Sequence, residues 1–486
     1  MTTAVYVDLD GTLVHTDLLV ESAVRFVFSR PFQAYRLIVW LARGKAHLKA
    51  QLAKRVELDP SSLPYNAALL DHLSHLAAQG TPLYLATAAN EVYAQAVAKH
   101  LGVFSGVLSS NDVNNLSGAR KRDAIERSAG EGFVYAGNGS DDLPIWSRSA
   151  GAWIVDAPAS VQRRIDALQV PVLATFDRKI NRVMALLRAM RPHQWLKNLL
   201  VLLPVLPIAG VLPLAPMLAS IVWAFLAFCA CASAIYLLND LADLAADRAH
   251  PRKRKRPFAA GDISPVLGLI VAPLLLVLAG IVAVGLGTAF IAVMSTYLVL
   301  TLAYILGLKR YPIVDVLVLA ALYTLRVLAG AAAIRIAPSF WMLAFSMFVF
   351  FSLALAKRYI ELNAMSSTTG EGCARGYRRH DMPSILNMGI VSGYMAVLVV
   401  ALYINSPDIT GRYGHVSMLW GLCPLLLLWV SRLWLKAVRS EVDDDPLVFA
   451  LTDRPSLLII AAAIGVVLLA ITGASVMTWP AGVSTR

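Results

Sequence analysis

From Trp195 onward the chain is a succession of apolar runs, and these constrain its fold more than any other feature. Nine of them stand out, at approximately 196–213, 216–238, 264–285, 288–307, 313–334, 339–356, 385–404, 415–434 and 456–476. Each is near the roughly 20 residues an α-helix needs to cross a hydrocarbon core. A helix is the form expected of them, because it satisfies its own backbone polar groups in lipid. The composition agrees: 58% of the 486 residues are hydrophobic and 15% are charged, whereas soluble domains carry about 25% charged residues. The charge is concentrated before residue 190. The expectation is one soluble domain followed by an all-α membrane domain of nine transmembrane helices.

The net charge of +12 does not point to nucleic acid, because the basic residues cluster at the ends of apolar runs. The connections after the second, fourth, sixth and eighth runs hold Arg252–Arg256, Lys309 and Arg310, Lys357 and Arg358 with Arg375, Arg378 and Arg379, and Lys436 with Arg439 and Arg454. The other connections carry little beyond Arg335 and Arg412. By the positive-inside rule the basic set is cytoplasmic. An odd number of spans then puts the N-terminal domain inside and the C-terminus outside, in a multi-pass protein of the inner membrane. The start, MTTAVYVDLDGT, has no basic segment ahead of an apolar one, so no signal peptide is expected. Cys229, Cys231, Cys373 and Cys423 have no CxxC spacing and read as small hydrophobes. Trp195, Trp341 and Trp434 suit an interfacial aromatic belt.

Residues 1–172 read as a Rossmann-like α/β domain. Ala4–Leu9, Pro82–Ala86 and Gly132–Ala136 are short apolar runs ending in turn residues, as buried strands do. Helical patterns such as Ala67–Gln79 and Glu91–His100 separate them. That alternation implies a parallel sheet with ligands at the carboxyl ends of its strands. A helical, apolar and basic stretch at about 16–80 suits an inserted cap. Residues 173–194 form a linker. In it Ile180, Val183, Met184, Leu187 and Met190 share a helical face flanked by Arg178, Lys179, Arg182 and Arg188. This suits a helix lying in the membrane interface or an ordinary packing helix. Residues 195–486 form the membrane domain.

Two constellations carry chemistry. In the soluble domain Asp8-Leu-Asp10-Gly-Thr12 follows the first strand, Thr87 follows the next, and Lys121 and Gly137-Asn138-Gly-Ser-Asp141-Asp142 come later. Two carboxylates at a strand end can share a Mg²⁺ while one attacks phosphorus. A hydroxyl and a lysine can hold the phosphoryl oxygens. This order resembles the haloacid dehalogenase superfamily of phosphohydrolases, over about residues 1–165. The resemblance makes Asp8 the nucleophile and Asp10 the general acid/base. It makes Thr87 and Lys121 phosphate ligands, and Asp8, Asp10, Asn138 and Asp142 the metal site. Asn138 stands where that superfamily usually has Asp, and Asp141 is a substitute. The competing reading is a degenerate domain kept for folding or docking.

In the membrane domain Asn239, Asp240, Asp243 and Asp247 close the second run at spacings of three and four. On one helix they would stack on roughly one face, and a bridging cation would relieve their repulsion. Hard oxygen ligands favour Mg²⁺, which bridges to substrate phosphates. Arg248, Lys253, Arg254 and Arg256 follow as a diphosphate clamp. These residues resemble the UbiA-type intramembrane prenyltransferase superfamily, over about residues 188–480. In place of that superfamily's second acidic motif the chain has Lys357-Arg358-Tyr359-Ile-Glu361, and Arg191-Pro-His-Gln194-Trp-Leu-Lys197-Asn198 enters the first span. Both features look like the decaprenyl-phosphate phosphoribosyltransferase branch. The resemblance implies phosphoribosyl diphosphate as donor and a polyprenyl phosphate as acceptor. Arg326 lies within an apolar run, eleven residues after Asp315 and on its face. An arginine there suits phosphate or ribose binding, or a structural pair between helices. Asp443 to Asp445 and Asp453 read as a solvated loop.

The expected reaction is therefore transfer of 5-phosphoribosyl to the lipid phosphate with departure of diphosphate, followed by removal of the product's 5-phosphate in the fused domain. A Mg²⁺-dependent prenyltransferase acting on an aromatic or other small acceptor is the alternative. A transporter or scaffold is a third reading. The carboxylates gather at one membrane face rather than the midplane, which disfavours transport.

Overall fold

The computed structural model describes residues 3–130, 132–208, 214–365, 376–409, 413–442 and 445–472. It divides into two compact units, Met1–Met190 with Ile235–Pro273, and Arg191–Ala234 with Leu274–Arg486.

The first unit is built on β1 (Ala4–Val7). Four helices follow it: α1 (Leu18–Ser29), α2 (Tyr35–Ala42), α3 (Lys45–Ala53) and α4 (Ala67–Ala78). Then come β2 (Leu83–Asn90), α5 (Glu91–Leu101), β3 (Gly106–Ser110), α6 (Ala119–Ala129), β4 (Phe133–Gly137), α7 (Leu143–Trp146), β5 (Gly151–Val155), α8 (Ala159–Ala167), β6 (Val172–Phe176) and α9 (Arg182–Met190). The six strands form one sheet in the order β3-β2-β1-β4-β5-β6, with every pairing parallel. Alternate residues of a strand face opposite sides. Accordingly Val5, Val7, Leu85 and Ala136 enter one core cluster, while Tyr6, Ala86, Tyr135 and Ile154 enter another. Both faces are covered, as an all-parallel sheet requires. The order reverses between β1 and β4, so the crevice at their carboxyl ends is the place for a ligand.

The sheet reaches past the expected domain end at 172, since β6 is its last strand. The linker helix is correspondingly short. In α9 Ala185 and Ala189 are buried, while Val183, Met184 and Leu187 are exposed. α2 likewise leaves Tyr35 and Ile38 exposed.

In the remaining chain a 3₁₀ segment (Pro192–Ile208) precedes α10 (Leu214–Ala242), α11 (Leu244–Ala249), α12 (Pro265–Leu286), α13 (Thr288–Leu306), α14 (Val314–Ala333), α15 (Phe340–Met365), α16 (Met382–Ile404), α17 (Leu422–Val438), α18 (Pro446–Thr452) and α19 (Arg454–Thr472). Among the described residues eight helices, not nine, are long and apolar enough to cross a membrane. The difference is the first expected span, 196–213. Its described part is wound as the 3₁₀ segment, and residues 209–213 lie outside the described residues. Pro204 and Pro207 carry no N–H and so donate to no helical ladder there.

Within the second unit small residues bring backbones close. A Cβ on Gly330 of α14 would lie 2.0 Å from the Val201 carbonyl oxygen, and one on Gly389 of α16 would lie 2.0 Å from the Trp434 ring. Helices in lipid associate through this kind of close approach.

Candidate active sites

Asp8 leaves the carboxyl end of β1 and Asn138 that of β4, so the reversal of strand order brings their loops together. Lys121 Nζ donates to Asp8 Oδ1 at 2.8 Å and to the Tyr135 hydroxyl at 2.9 Å, and lies 3.4 Å from Asp142 Oδ1. The Tyr135 hydroxyl donates to Asp142 Oδ1 at 2.6 Å. Asp142 Oδ2 accepts the Asn138 and Gly139 N–H groups, each at 3.1 Å. Gly11 has φ +75°, and a Cβ there would sit 2.2 Å from Asn138 Nδ2, so the DxDGT turn lies directly on the Asn138 amide. Asp10 Oδ1 accepts the Leu18 N–H at 2.9 Å at the start of α1.

Thr87 is not after its strand but inside it, where the β2–β3 register shifts between Ala86 and Asn90. It is fully buried, and its Oγ1 accepts the Ala89 N–H at 3.0 Å. Asp141 is exposed.

Burial pushes the Asp8 carboxyl up to about 6, with Lys121 opposing and Asp142 adding to the rise. Burial, and then the Asp17 carboxylate, push Asp10 well above the usual range. Burial alone would depress Lys121, but Asp8 and Asp142 outweigh it and raise the ammonium pKa.

The second acidic motif departs from the single helical face. α10 ends at Ala242, and Asp243 (φ −91°, ψ 8°) interrupts the helix before α11. Asn239 Nδ2 donates to Asp243 Oδ2 at 3.0 Å. Asp240 and Asp247 turn instead to Arg256, whose Nη1 donates to them at 3.2 and 2.6 Å. Both carboxylates are buried, at 2% exposure each. The Arg256 guanidinium thus bridges Asp240 and Asp247, and Asp243 stands outside that bridge. The oxygen donors suit Mg²⁺ in chemistry. Among the described residues no three acidic, histidine or cysteine side chains already converge as a metal cage. Loading an ion would require Arg256 to give up its carboxylates.

Arg248 is buried and committed to Glu21 of α1 and to the Ala259 carbonyl, rather than open to substrate. Lys253 and Arg254 are exposed.

In the second unit the cations singled out in the sequence have three different sets of partners. Lys197 and Lys357 both donate to Asp445 Oδ2, Lys357 at 3.3 Å. Asp445 is 8% exposed and caps α18, so it is no solvated loop residue. Burial pushes its carboxyl up, but Lys357 and Lys197 outweigh that and hold it at about 2. Asp443 lies outside the described residues.

Arg358 bonds Asp315, Glu361 and the Tyr304 hydroxyl, which neutralises it. Arg326 does not pair with Asp315. Its guanidinium donates to Asn198 Oδ1 at 2.9 Å, the Leu322 carbonyl at 2.7 Å and the Tyr297 hydroxyl at 3.0 Å, all neutral partners. Tyr359 is buried and packs on Trp434. Arg191 and Gln194 are half-buried, Arg191 with φ +55°. Sequence reasoning missed Glu21 and Tyr135 and misjudged Asp445. The one available signal was an acidic or phenolic residue inside an otherwise apolar pattern.

Residues 201–452 match the UbiA prenyltransferase family. The chain is 38% identical over 458 residues to the protein y4nM of Sinorhizobium fredii, covering 92% of this chain and 87% of that one. It is 36% identical over 287 residues to the nodulation protein NoeC of Azorhizobium caulinodans, covering 58% of this chain and 92% of that one. It is 34% identical over 231 residues to the decaprenyl-phosphate phosphoribosyltransferase of Mycolicibacterium smegmatis, covering 47% and 72%. A UbiA homologue from Archaeoglobus fulgidus bound to GPP and Mg²⁺ aligns with 59% of this chain and 99% of its own, at TM-score 0.44 and 17% identity. The family match, which spans just over half of the chain, establishes that this chain belongs to the UbiA prenyltransferase family.

Proposed function

We propose that the membrane domain transfers 5-phosphoribosyl from phosphoribosyl diphosphate to a polyprenyl phosphate, releasing diphosphate, and that the N-terminal domain then removes the product's 5-phosphate. The observation that carries the transfer step is Arg326: a buried guanidinium within a membrane-crossing helix whose partners are all neutral. Such a charge is costly in lipid, by about 2.5 kcal/mol or more, unless it meets a polar cavity or an anion. A phosphate supplies that anion. Lys197 and Lys357, which share the single carboxylate of Asp445, add a second unbalanced positive charge. The donor and acceptor of this reaction together bring four phosphates: a diphosphate, a 5-phosphate and the lipid phosphate. The Mycolicibacterium relative is described as acting in this reaction class.

In this reading Asp240, Asp243 and Asp247 would hold Mg²⁺, and Asn239 orients Asp243. The ion, when bound, neutralises the leaving diphosphate. Arg256, once released from Asp240 and Asp247, would take a diphosphate oxygen, and the exposed Lys253 and Arg254 extend the positive surface. The lipid phosphate is already ionised, so its attack on the ribose carbon needs no strong base. Lys197, Lys357 and Arg326 bind phosphate, with Arg191, Gln194, Asn198 and Tyr359 as further substrate-binding residues. Arg358 and Glu361 hold α15 through Asp315 rather than contact substrate.

For the second step Asp8 attacks the 5-phosphorus, and the ester oxygen leaves with a proton from Asp10. Water then hydrolyses the aspartyl phosphate to inorganic phosphate. Lys121 and Thr87 hold phosphoryl oxygens, and Asp8, Asp10, Asn138 and Asp142 would hold a Mg²⁺ ion that offsets their charge. The protein is a multi-pass protein of the cytoplasmic membrane with its N-terminal domain inside.

The test is product analysis. Purified protein is incubated with labelled phosphoribosyl diphosphate, polyprenyl phosphate and Mg²⁺. Wild type should give the ribosylated lipid, and Asp8→Asn should stop at the 5-phosphorylated one. No ribosylated lipid, with diphosphate released from an isoprenoid diphosphate instead, would favour conventional prenyl transfer.

A further inference from the structure

The first unit contains a cavity of about 730 Å³ that joins the DxDGT turn to the start of a membrane-crossing helix. Asp10 and Asn138 line it on the sheet side. Asp177 and Arg182 line it from the segment after β6. Ile263, Pro265 and Leu267 line it from the first turn of α12 and the residues before it.

That third wall is fixed in place. Gly261 has φ +73°, and a Cβ there would lie 2.6 Å from the Cβ and carbonyl oxygen of His15. Arg178 donates to the Gly261 carbonyl at 3.1 Å and to Asp156 at 3.2 Å. His15 also lines the cavity, where its buried Nδ1 makes no hydrogen bond and lies 3.5 Å from Asp156 Oδ2. A polar ligand can supply the hydrogen bond it lacks.

The lining carries three chemistries. Carboxylates such as Asp177 accept hydrogen bonds from sugar hydroxyls. The Arg182 guanidinium, exposed at the start of α9, suits a phosphate. Ile180, Ile263 and Leu267 offer an apolar surface where the chain enters the membrane-crossing helix. We propose that this cavity holds the pentose 5-phosphate end of a lipid-linked phosphodiester, with Arg182 on the diester phosphate and Leu267 against the first isoprene units. The inference rests on the phosphatase reading and assigns its lipid-linked substrate to this cavity, with Arg182 and Leu267 selecting for the lipid end. Water cleaves the 5-phosphate ester to inorganic phosphate and a lipid-linked pentose with a free 5-hydroxyl. The diester bond to the lipid is left intact.

The experiment measures phosphate release by the full-length protein in nanodiscs from two substrates, polyprenyl-phosphoryl ribose 5-phosphate and soluble ribose 5-phosphate. Wild type should prefer the lipid-linked ester in kcat/KM by at least tenfold. Arg182→Gln and Leu267→Asn should each reduce that preference by about tenfold. Arg182 is exposed, so its variant keeps the inference testable if Leu267→Asn fails to fold. Equal use of the two substrates by wild type, or a preference unchanged in a folded variant, overturns the inference and leaves the phosphatase reading standing. Absence of Asp8-dependent release from both substrates overturns the phosphatase reading, and the inference with it.

Discussion

Arg248 and Glu21, 227 positions apart in the chain, form a buried two-pronged ion pair, with Nη1 and Nη2 at 2.5 and 3.0 Å from the two carboxylate oxygens. Arg248 directly follows Asp247 of the acidic motif, and Glu21 also accepts the Thr16 hydroxyl at the end of the DxDGT turn. One side-chain pair therefore ties the two acidic motifs together.

Breaking this pair leaves a charge buried without its partner. Glu21→Ala should lower stability by about 3–5 kcal/mol. Glu21→Met combined with Arg248→Leu should recover much of the loss. Thermal unfolding of the detergent-solubilised protein checks both, and a double variant no better than the single one would deny the pair its role.

Gly261 should tolerate no side chain. Its φ of +73° and the 2.6 Å approach to His15 make Gly261→Ala strained in backbone and packing alike. The expected loss is about 2 kcal/mol or more. The same unfolding measurement reads it, and a variant as stable as wild type would mean the loop is not held against His15.

His15 should make stability depend on pH. Burial, helped by Arg178 and opposed by Asp156, lowers its pKa from 6.5 to about 4. Between those values the unfolded chain binds the extra proton. The stabilisation is therefore complete above about pH 6.5 and is lost as pH falls towards 4, by up to roughly 3 kcal/mol. Chemical denaturation of wild type and His15→Gln across pH 4–7 should show a smaller slope in the variant.

Asp445 should be needed for the second unit's integrity. Asp445→Asn leaves Lys197 and Lys357 without the carboxylate they share. A loss of about 3 kcal/mol is expected, since two like charges are then left close together in a buried setting. Asp453→Asn serves for comparison. Its pairing with Arg432 is more exposed, so it should cost less in the same assay.

Gly330→Ala should disrupt the contact between α14 and the 3₁₀ segment, because the added Cβ would meet the Val201 carbonyl at 2.0 Å. Neither partner is a flexible side chain that can swing aside. Lower melting temperature and lower yield of monodisperse protein are the expected readouts, at about 1–3 kcal/mol.

Much of the architecture is local and was legible in the residues. Apolar runs of about 20 residues mark membrane-crossing helices because length and hydropathy suffice. The strand runs around Val5, Leu85 and Val134 mark a parallel sheet because buried strands are apolar on both faces. The placement of Asp8 and Asn138 at strand ends follows from that pattern once the strand order is known. The 3₁₀ winding of Pro192–Ile208 was not legible, because apolar length does not report which hydrogen-bond ladder the prolines permit.

The sequence by itself determined which segments are buried and where the acidic motifs fall, since both follow from periodicity and spacing along a few turns of chain. Tertiary structure alone decided the partners. Helical spacing stacked Asp240, Asp243 and Asp247 on one face, yet the break at Asp243 sends it to Asn239 and leaves the other two to Arg256. Asp315 shares a face with Arg326 but bonds Arg358, and Lys197 meets Asp445 across 248 positions of chain. The physical reason is that a charge pairs with whichever opposite charge packing brings within a few ångströms, and no local pattern encodes that distance.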